Sequence, residues 1–289
     1  MEFSGNKGFV LSAGRRWLLL ILATLLCFIM GSVLVGIIVG SSPTGVRMRL
    51  AIIVQDLFVF ILPALIVAVM VTRRPADFLR VRKAPRASLI FLTVLTLIAA
   101  APAMNWIIEL NKGMHLPESM SAIEELMRSA EESAAAQIEL LTNNFSIGGL
   151  IVSILIIGVM AGFSEELYFR GTMQRIFAST PMNCHVAIWA TAVIFSAMHM
   201  QFFGFFPRML LGAFLGYLTY WSGSLWLAVI AHAVNNSMAV IIMWMNKTNV
   251  SSVNLDEIGT SVSDSAQLPI VAFSVLLTAL LLWRIKRTA

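Results

Sequence analysis

The sequence predicts an all-α protein, a polytopic membrane helix bundle of about eight transmembrane helices. Of its 289 residues, 58% are apolar and only 12% are charged, whereas a soluble globular protein has about 45–50% apolar and about 25% charged residues. The mean hydropathy is +0.86. Such a chain has too little polar surface to cover a water-exposed body, which excludes a soluble enzyme, a disordered chain and a coiled coil.

Eight apolar runs are long enough to cross a bilayer, since a hydrocarbon core of about 30 Å needs about 20 helical residues. The first run follows the basic residues Lys7, Arg15 and Arg16. It exceeds the apolar part of a signal peptide, about 7–15 residues, so we expect a retained helix and a single integral-membrane domain over residues 1–289. The predicted spans are Trp17–Gly40, Leu50–Val71, Ala87–Leu110, Ile147–Phe177, His185–Phe202, Pro207–Trp221, Ser224–Met245 and Leu268–Trp283.

The placement of basic residues predicts the orientation of the chain. With a cytoplasmic N-terminus, most of the 20 Lys and Arg residues lie in inner segments, although Arg47 and Arg49 lie in an outer one. We therefore expect both termini in the cytoplasm and a multi-pass protein of the cell membrane. The compact, Met-rich chain favours a bacterial inner membrane. This placement explains the net charge of +5, and without an aromatic and basic module we expect no nucleic-acid partner.

One long polar stretch, residues 111–144, lies outside the predicted spans. Pro117 and Glu118 are typical of a helix start, and the apolar residues that follow indicate an amphipathic helix. We expect its glutamates to form a solvated face, with a cap over a substrate entrance as the alternative. The second polar stretch, Lys247–Gln267, predicts an external loop.

Ionisable groups inside a membrane span are costly and therefore indicate function. They cluster in the fourth, fifth and seventh predicted spans, which places a motif-bearing core at about residues 145–245. At a helix rise of about 1.5 Å per residue, Glu165, His199, His232 and Asn236 lie roughly 12–21 Å from the inner ends of their spans, at similar depth. The residues concerned are Glu165, Glu166, Arg170, His199, His232, Asn235 and Asn236.

Helical spacing predicts which of these side chains pair. Glu166 and Arg170 are four residues apart and share a face, whereas Glu165 is rotated by about 100° and points elsewhere. His232 and Asn236 also share a face. We therefore expect Glu165 to stay free of Arg170 and to meet side chains from the other helices.

Other residues in the spans have simpler interpretations. Two pairs of small residues, Gly158 with Gly162 and Gly212 with Gly216, predict close helix packing. Two polar residues of the second span, Gln55 and Asp56, predict a structural hydrogen-bonded pair. The two cysteines, Cys27 and Cys184, lie in apolar runs without metal or disulfide spacing and are expected to be small buried side chains.

The intramembrane cluster has the groups that peptide hydrolysis requires. That reaction needs an activated water, a proton donor for the leaving amine and donors for the oxyanion. Glu165 and His199 suit the first two tasks, and His232 and Asn236 suit the third. Arg170 would hold Glu166 charged and immobile.

Three other interpretations stay open on the residues alone. Two histidines and a glutamate match the ligand set of a catalytic zinc, although the sequence has no H-E-x-x-H motif. An ion-coupled transporter would use Glu and His as a proton relay. A buried polar network would only hold helices together.

Three short motifs carry a resemblance to a known family. Residues 165–170 read E-E-x-x-x-R, residues 195–199 read F-x-x-x-H, and residues 232–236 read H-x-x-x-N. In this order, on successive membrane helices, they resemble the CPBP family, which comprises glutamic CAAX prenyl endopeptidases and bacteriocin-processing or self-immunity proteins. The resemblance covers about Gly158–Val240.

The resemblance implies an intramembrane endopeptidase with a chamber open toward the cytoplasmic side. Glu165 and His199 would activate the water, His232 and Asn236 would form the oxyanion hole, and Glu166 and Arg170 would support the site. It also implies a metal-independent mechanism, so we expect no metal and no cofactor. The expected partners are the bilayer and a peptide or protein substrate that enters from the membrane or the cytoplasmic side. A non-proteolytic self-immunity role stays open.

Overall fold

The computed structural model describes residues 11–41, 44–142, 146–250 and 267–289. Its regular elements are helices, which confirms the predicted all-α bundle. In chain order they are α1 (Ala13–Val39), α2 (Gly45–Val71), α3 (Pro75–Phe78), α4 (Ala87–Lys112), α5 (Ser121–Thr142), α6 (Ile147–Ala178), α7 (Cys184–Met198), α8 (Phe205–Ser222), α9 (Leu225–Thr248) and α10 (Leu268–Thr288).

Seven of these helices are long and apolar enough to span a membrane, so the protein is a multi-pass membrane protein. The predicted fifth span is shorter than expected. It was expected to reach Phe202, but α7 has 15 residues and ends at Met198. The helix stops there because Met200 adopts a left-handed backbone with φ 54°, which a continuing right-handed helix does not contain. His199 is therefore the C-cap of a short helix.

One face of the bundle is closed by the connection between α2 and α4, residues 72–86, which we call the sealed face. Arg80 donates to the carbonyl of Thr219 at 2.6 Å and Lys83 to that of Ser222 at 2.5 Å. The indole of Trp226 donates to the carbonyl of Val81 at 2.7 Å. These bonds satisfy backbone carbonyls and tie the connection to the junction of α8 and α9.

Helix α5 lies at the opposite face, which we call the α5 face. Glu124 near its start accepts hydrogen bonds from the backbone of Leu116 and from the side chains of Arg128 and His115, and these bonds lower its pKa to about 2. Because folding lowers the pKa of Glu124, its hydrogen bonds stabilise the folded chain fully at pH values above the usual pKa of a glutamate. This stabilisation is lost as the pH falls toward 2.

The glycine pairs pack as predicted. A Cβ at Gly158 would lie 2.3 Å from Ser237 Oγ, and one at Gly162 would lie 3.0 Å from the backbone nitrogen of Ala233. Helix α9 therefore touches the backbone of α6. A Cβ at Gly212 or Gly216 would likewise meet α7 within 3.2 Å. Of the expected loop Lys247–Gln267, residues 251–266 lie outside the described residues; α9 itself continues to Thr248.

Helix α6 contains two π-helical stretches, Ile154–Met160 and Leu167–Met173, on either side of the turn with Glu165. Helix α2 contains a third, Leu57–Ile61, directly after Asp56. A π-helical turn widens the helix and shifts its backbone hydrogen bonds, and such turns are frequent at functional sites. In the described part of the chain, all three lie beside polar residues of the bundle interior.

Candidate active site

Glu166 and Arg170 form a buried ion pair on α6, as predicted from their spacing. The Nη1 atom of Arg170 lies 2.5 Å from Glu166 Oε1, and both side chains are inaccessible to solvent. Nη2 of Arg170 donates to the carbonyl of Gly212 at 2.9 Å, and the guanidinium lies over the ring of Phe195 at 4.6 Å. Arg170 thus joins α6 to α7 and α8.

The same Glu166 carboxylate orients His232 of α9. Its Oε1 atom lies 2.9 Å from His232 Nδ1. Since a carboxylate paired with Arg170 is an acceptor, Nδ1 carries the proton and donates. Nε2 of His232 therefore faces away from Glu166, toward Glu165. A carboxylate that fixes the tautomer and the ring orientation of a histidine is common in catalytic and metal sites.

His199 is oriented in the same manner by the backbone. Its Nδ1 lies 2.9 Å from the carbonyl of Phe195, one turn earlier in α7, so Nδ1 is the donor and Nε2 is left for other contacts. The ring of Phe195 packs edge-on against both imidazoles, with ring centroids 5.0 Å from His199 and 5.8 Å from His232. Phe195 thus gives the two histidines a shared apolar contact.

Glu165 faces both free imidazole nitrogens. Its Oε2 atom lies 4.0 Å from His199 Nε2 and 3.9 Å from His232 Nε2, and this buried oxygen has no hydrogen-bond partner among the described residues. A spacing of about 4 Å is too long for a direct hydrogen bond but fits one bridging water. The His199 side chain is 31% exposed, against 13% for Glu165 and 4% for His232, so the cluster opens at His199.

Asn236 lies near this cluster but makes other contacts. Its Nδ2 donates to the carbonyl of Ile157, in the first π-helical stretch of α6, at 3.1 Å. Its Oδ1 accepts from Asn235 at 3.2 Å. One N–H of the Asn236 amide is thus engaged with α6, and only the second is available to a substrate.

The interpretation of Gln55 and Asp56 as a hydrogen-bonded pair is not supported by their positions. Gln55 is exposed, whereas Asp56 is buried. Asp56 interacts with the side chain of Ser164 and lies within electrostatic range of Glu165 and His232. Asp56 is thus a third carboxyl group near the cluster, after Glu165 and Glu166. Sequence reasoning missed this contact because it depends on how α2 packs against α6.

Arg208 is a second residue that sequence reasoning did not assign to the site. It lies in α8 within electrostatic range of Glu165 and His199. Its Nη2 donates to Gln201 at 2.6 Å, and its buried Nη1 has no hydrogen-bond partner in the described part of the chain. The sequence feature that could have identified Arg208 was the presence of a basic residue inside the predicted span Pro207–Trp221.

The spacing of Glu165, His199 and His232 does not favour a zinc site. Two ligands of one tetrahedral zinc ion lie about 3.3 Å apart, given metal–ligand bonds of about 2.0–2.1 Å. The distances of 3.9 and 4.0 Å are wider. Within the described ranges, no group of three His, Cys, Asp or Glu side chains is placed to hold a metal ion.

Comparison with known families bears on the interpretations that the residues left open. Residues 147–238 match the family model described as type II CAAX prenyl endopeptidase Rce1-like. This stretch is an Rce1-like domain. The resemblance to the CPBP family is therefore confirmed. No curated protein and no solved structure matches the chain.

The Rce1-like domain extends from the start of α6 into α9 and contains all six predicted site residues. Arg208 also lies within it. Asp56 and helix α5 lie outside it, in the part of the chain that precedes residue 147. The cluster around Glu165 is thus built by the family domain and bordered by α2, which the family match does not cover.

Proposed function

We propose that this protein is a metal-independent intramembrane endopeptidase that uses Glu165 and His199 to activate water. Membership of the Rce1-like family supports a CAAX-type protease. The observation that carries the proposal is the placement of Glu165 Oε2 opposite two imidazole Nε2 atoms, at 4.0 and 3.9 Å. Each of these distances fits a water that bridges Glu165 and an imidazole.

In the proposed reaction, Glu165 is the general base. It takes a proton from the bound water as the water oxygen attacks the peptide carbonyl carbon, and this proton is then delivered to the leaving amine. His199 binds the same water through Nε2, because its Nδ1 proton is held by the Phe195 carbonyl. The C–N bond breaks as the carbonyl reforms, which releases a carboxylic acid and an amine.

His232 and Asn236 are proposed to stabilise the oxyanion. Glu166 holds the Nδ1 side of His232, so Nε2 is the ring nitrogen that faces the reacting carbonyl beside Glu165, and a proton on that nitrogen makes it a donor to the oxyanion. Asn236 offers the amide N–H that is not bound to Ile157. Loss of one oxyanion donor lowers kcat by about 10²–10³-fold in other hydrolases.

The proposed partners are the bilayer and a membrane-embedded peptide or protein substrate. The family description names CAAX prenyl endopeptidases, so a farnesylated peptide that ends in Cys-aliphatic-aliphatic-X is the first substrate to test. Peptide precursors of a bacterial membrane form the second class. An ion-coupled transporter or a self-immunity protein would use the same residues without cleavage.

Glu165→Gln tests the proposal, because it removes the base and keeps the shape of the side chain. We expect cleavage of the farnesylated peptide by purified protein to fall by at least about 10²-fold, with an unchanged elution profile and melting temperature. Glu132→Gln, on exposed α5, is the matched control and should cleave normally. Comparison of membrane proteomes with wild-type and Glu165→Gln protein extends the test to natural substrates. Equal cleavage by both proteins, or cleavage of nothing by wild type, contradicts the proposal.

A further inference from the structure

Arg208 has no role in the reaction described above, yet its position relates it to the cluster. Helices α7 and α8 are antiparallel neighbours, and Phe195 of α7 lies at the level of Gly212 of α8. Four residues along each helix, on the same faces, come His199 and Arg208. Arg208 therefore lies near His199 on the neighbouring helix, within electrostatic range of His199 and Glu165.

The loop between the two helices holds Arg208 without neutralising it. Nη2 donates to the neutral amide oxygen of Gln201, and a Cβ at Gly204 would lie 3.0 Å from that same nitrogen, so Gly204 leaves space for the guanidinium. Nη1 is buried and unpartnered in the described part of the chain. A buried donor of a full positive charge without a partner is costly.

We infer that Arg208 forms an anion subsite that binds a carboxylate of the substrate, on the α5 side of Glu165 and His199. A guanidinium binds a carboxylate through two parallel N–H donors, and the unpartnered Nη1 supplies one of them. The carboxylate comes from the C-terminus of the peptide or from an acidic side chain near the scissile bond. This inference rests on the proposed function, since it names the group that the same site recognises.

The acids around Arg208 fit this assignment. Glu131 of α5 lies within electrostatic range of Arg208, but its Oε2 accepts a hydrogen bond from the backbone of Phe203 at 3.3 Å. Glu165 directs Oε2 toward the two imidazoles. Both acids thus interact with Arg208 only electrostatically, and the guanidinium can make its direct hydrogen bond to a ligand.

The test compares two forms of one farnesylated peptide, with a free C-terminal carboxylate and with a C-terminal amide. For wild type we expect kcat/KM to be about ten- to a hundred-fold higher with the carboxylate, the effect of one charge-assisted hydrogen-bond pair. Arg208→Gln should lose this preference by losing rate on the carboxylate peptide alone, and Arg208→Lys should keep part of it. Lys247→Gln removes an exposed cation of the same face and should retain the full preference.

Two further measurements separate the outcomes. An amidated peptide that ends in Asp regains cleavage in an Arg208-dependent way if the subsite accepts a side-chain carboxylate, and does not if it needs the terminal one. If Arg208→Gln lowers kcat/KM equally on both peptides, or leaves the preference for the carboxylate peptide unchanged, the subsite is overturned. The proposed protease function is not affected by either result.

If wild type cleaves neither peptide, the proposed function fails for this substrate, and the subsite is still tested by binding. Fluorescence titration of full-length wild type and Arg208→Gln with both peptides then decides it. Arg208-dependent preference for the carboxylate form supports the subsite, and equal affinities overturn it.

Discussion

At the scale of single residues, the Glu166 carboxylate links two other side chains of the site through hydrogen bonds. Its Oε1 receives a guanidinium N–H from Arg170 and an imidazole N–H from His232, from two different helices. Two N–H donors thus serve one buried carboxylate oxygen. The orientation of His232 therefore depends on Glu166 and, through it, on Arg170.

Removing Arg170 alone should leave this charge uncompensated. We expect Arg170→Met to destabilise the protein by about 3–5 kcal/mol, the usual cost of breaking a buried ion pair on one side. The measurement is thermal or denaturant unfolding of the purified protein in detergent. The apolar methionine keeps contact with Phe195, so lost packing contributes little.

The double variant Glu166→Gln with Arg170→Met is the control for that interpretation. It removes both charges, and we expect it to regain part of the lost stability, since a neutral pair replaces an isolated charge. If adding Glu166→Gln instead lowers the stability of the Arg170→Met protein further, as an independent second substitution would, the ion-pair explanation is contradicted.

The residues differ in how far the sequence determines their contacts. The pairing of Glu166 with Arg170 follows from a spacing of four residues in one helix and was predictable. The contacts of Asp56 and Arg208 join helices distant in sequence, and periodicity within one helix contains no information about them. The Asn236 amide was predicted to donate to a substrate; one of its two N–H groups binds the carbonyl of Ile157, a contact between α9 and a π-helical stretch of α6 that spacing within one helix does not show.

At the scale of elements, the contact between α6 and α9 determines where His232 meets Glu165. This contact is close because Gly158 lies against Ser237 and Gly162 lies against Ala233. The small residues were predictable as packing positions. The π-helical stretches that flank Glu165 and the early end of α7 were not, because they depend on local backbone geometry that composition does not show.

Gly158→Ala tests this contact. Its new Cβ would lie 2.3 Å from Ser237 Oγ, so the helices must separate or the serine must move. We expect a loss of about 1–3 kcal/mol of stability from overpacking, measured as a lower melting temperature in detergent. Cleavage should fall as well, because His232 moves with α9.

Two variants check the cause. Adding Ser237→Ala to Gly158→Ala removes the clashing oxygen and leaves ordinary contacts of 3.4 and 3.5 Å, so stability should return. Gly36→Ala lies on α1 with nothing within 4 Å and should be neutral or stabilising by up to about 1 kcal/mol. Persistent destabilisation in the Gly158→Ala, Ser237→Ala protein would refute the packing explanation.

At the scale of the whole molecule, the two faces of the bundle differ in charge and in access to the site. The sealed face carries the basic connection 72–86, and the end of α10 reaches it through a bond from Arg86 to the Thr288 carbonyl at 2.8 Å. The α5 face carries the acidic helix and the loop after His199, which is the exposed member of the cluster. The site therefore opens toward the α5 face and away from the basic one.

This arrangement sets two sequence-based expectations against each other. The positive-inside rule places the basic sealed face in the cytoplasm, and the α5 face is then extracytoplasmic. The family resemblance implies a chamber open to the cytoplasm, which requires the reverse orientation. Because the site opens beside α5, a single measurement of orientation decides which expectation holds and from which side a substrate arrives.

We predict that the charge rule holds and that the site opens to the extracytoplasmic side. In a background with Cys27→Ala and Cys184→Ala, single cysteines replace Leu126 on α5 and Arg82 on the sealed face, whose side chains are well exposed. A membrane-impermeant maleimide should label Leu126→Cys in intact bacterial cells and Arg82→Cys only in opened cells or inverted vesicles. The opposite labelling pattern would place the α5 face in the cytoplasm, because the two positions lie on opposite faces of one bundle and exchange sides together.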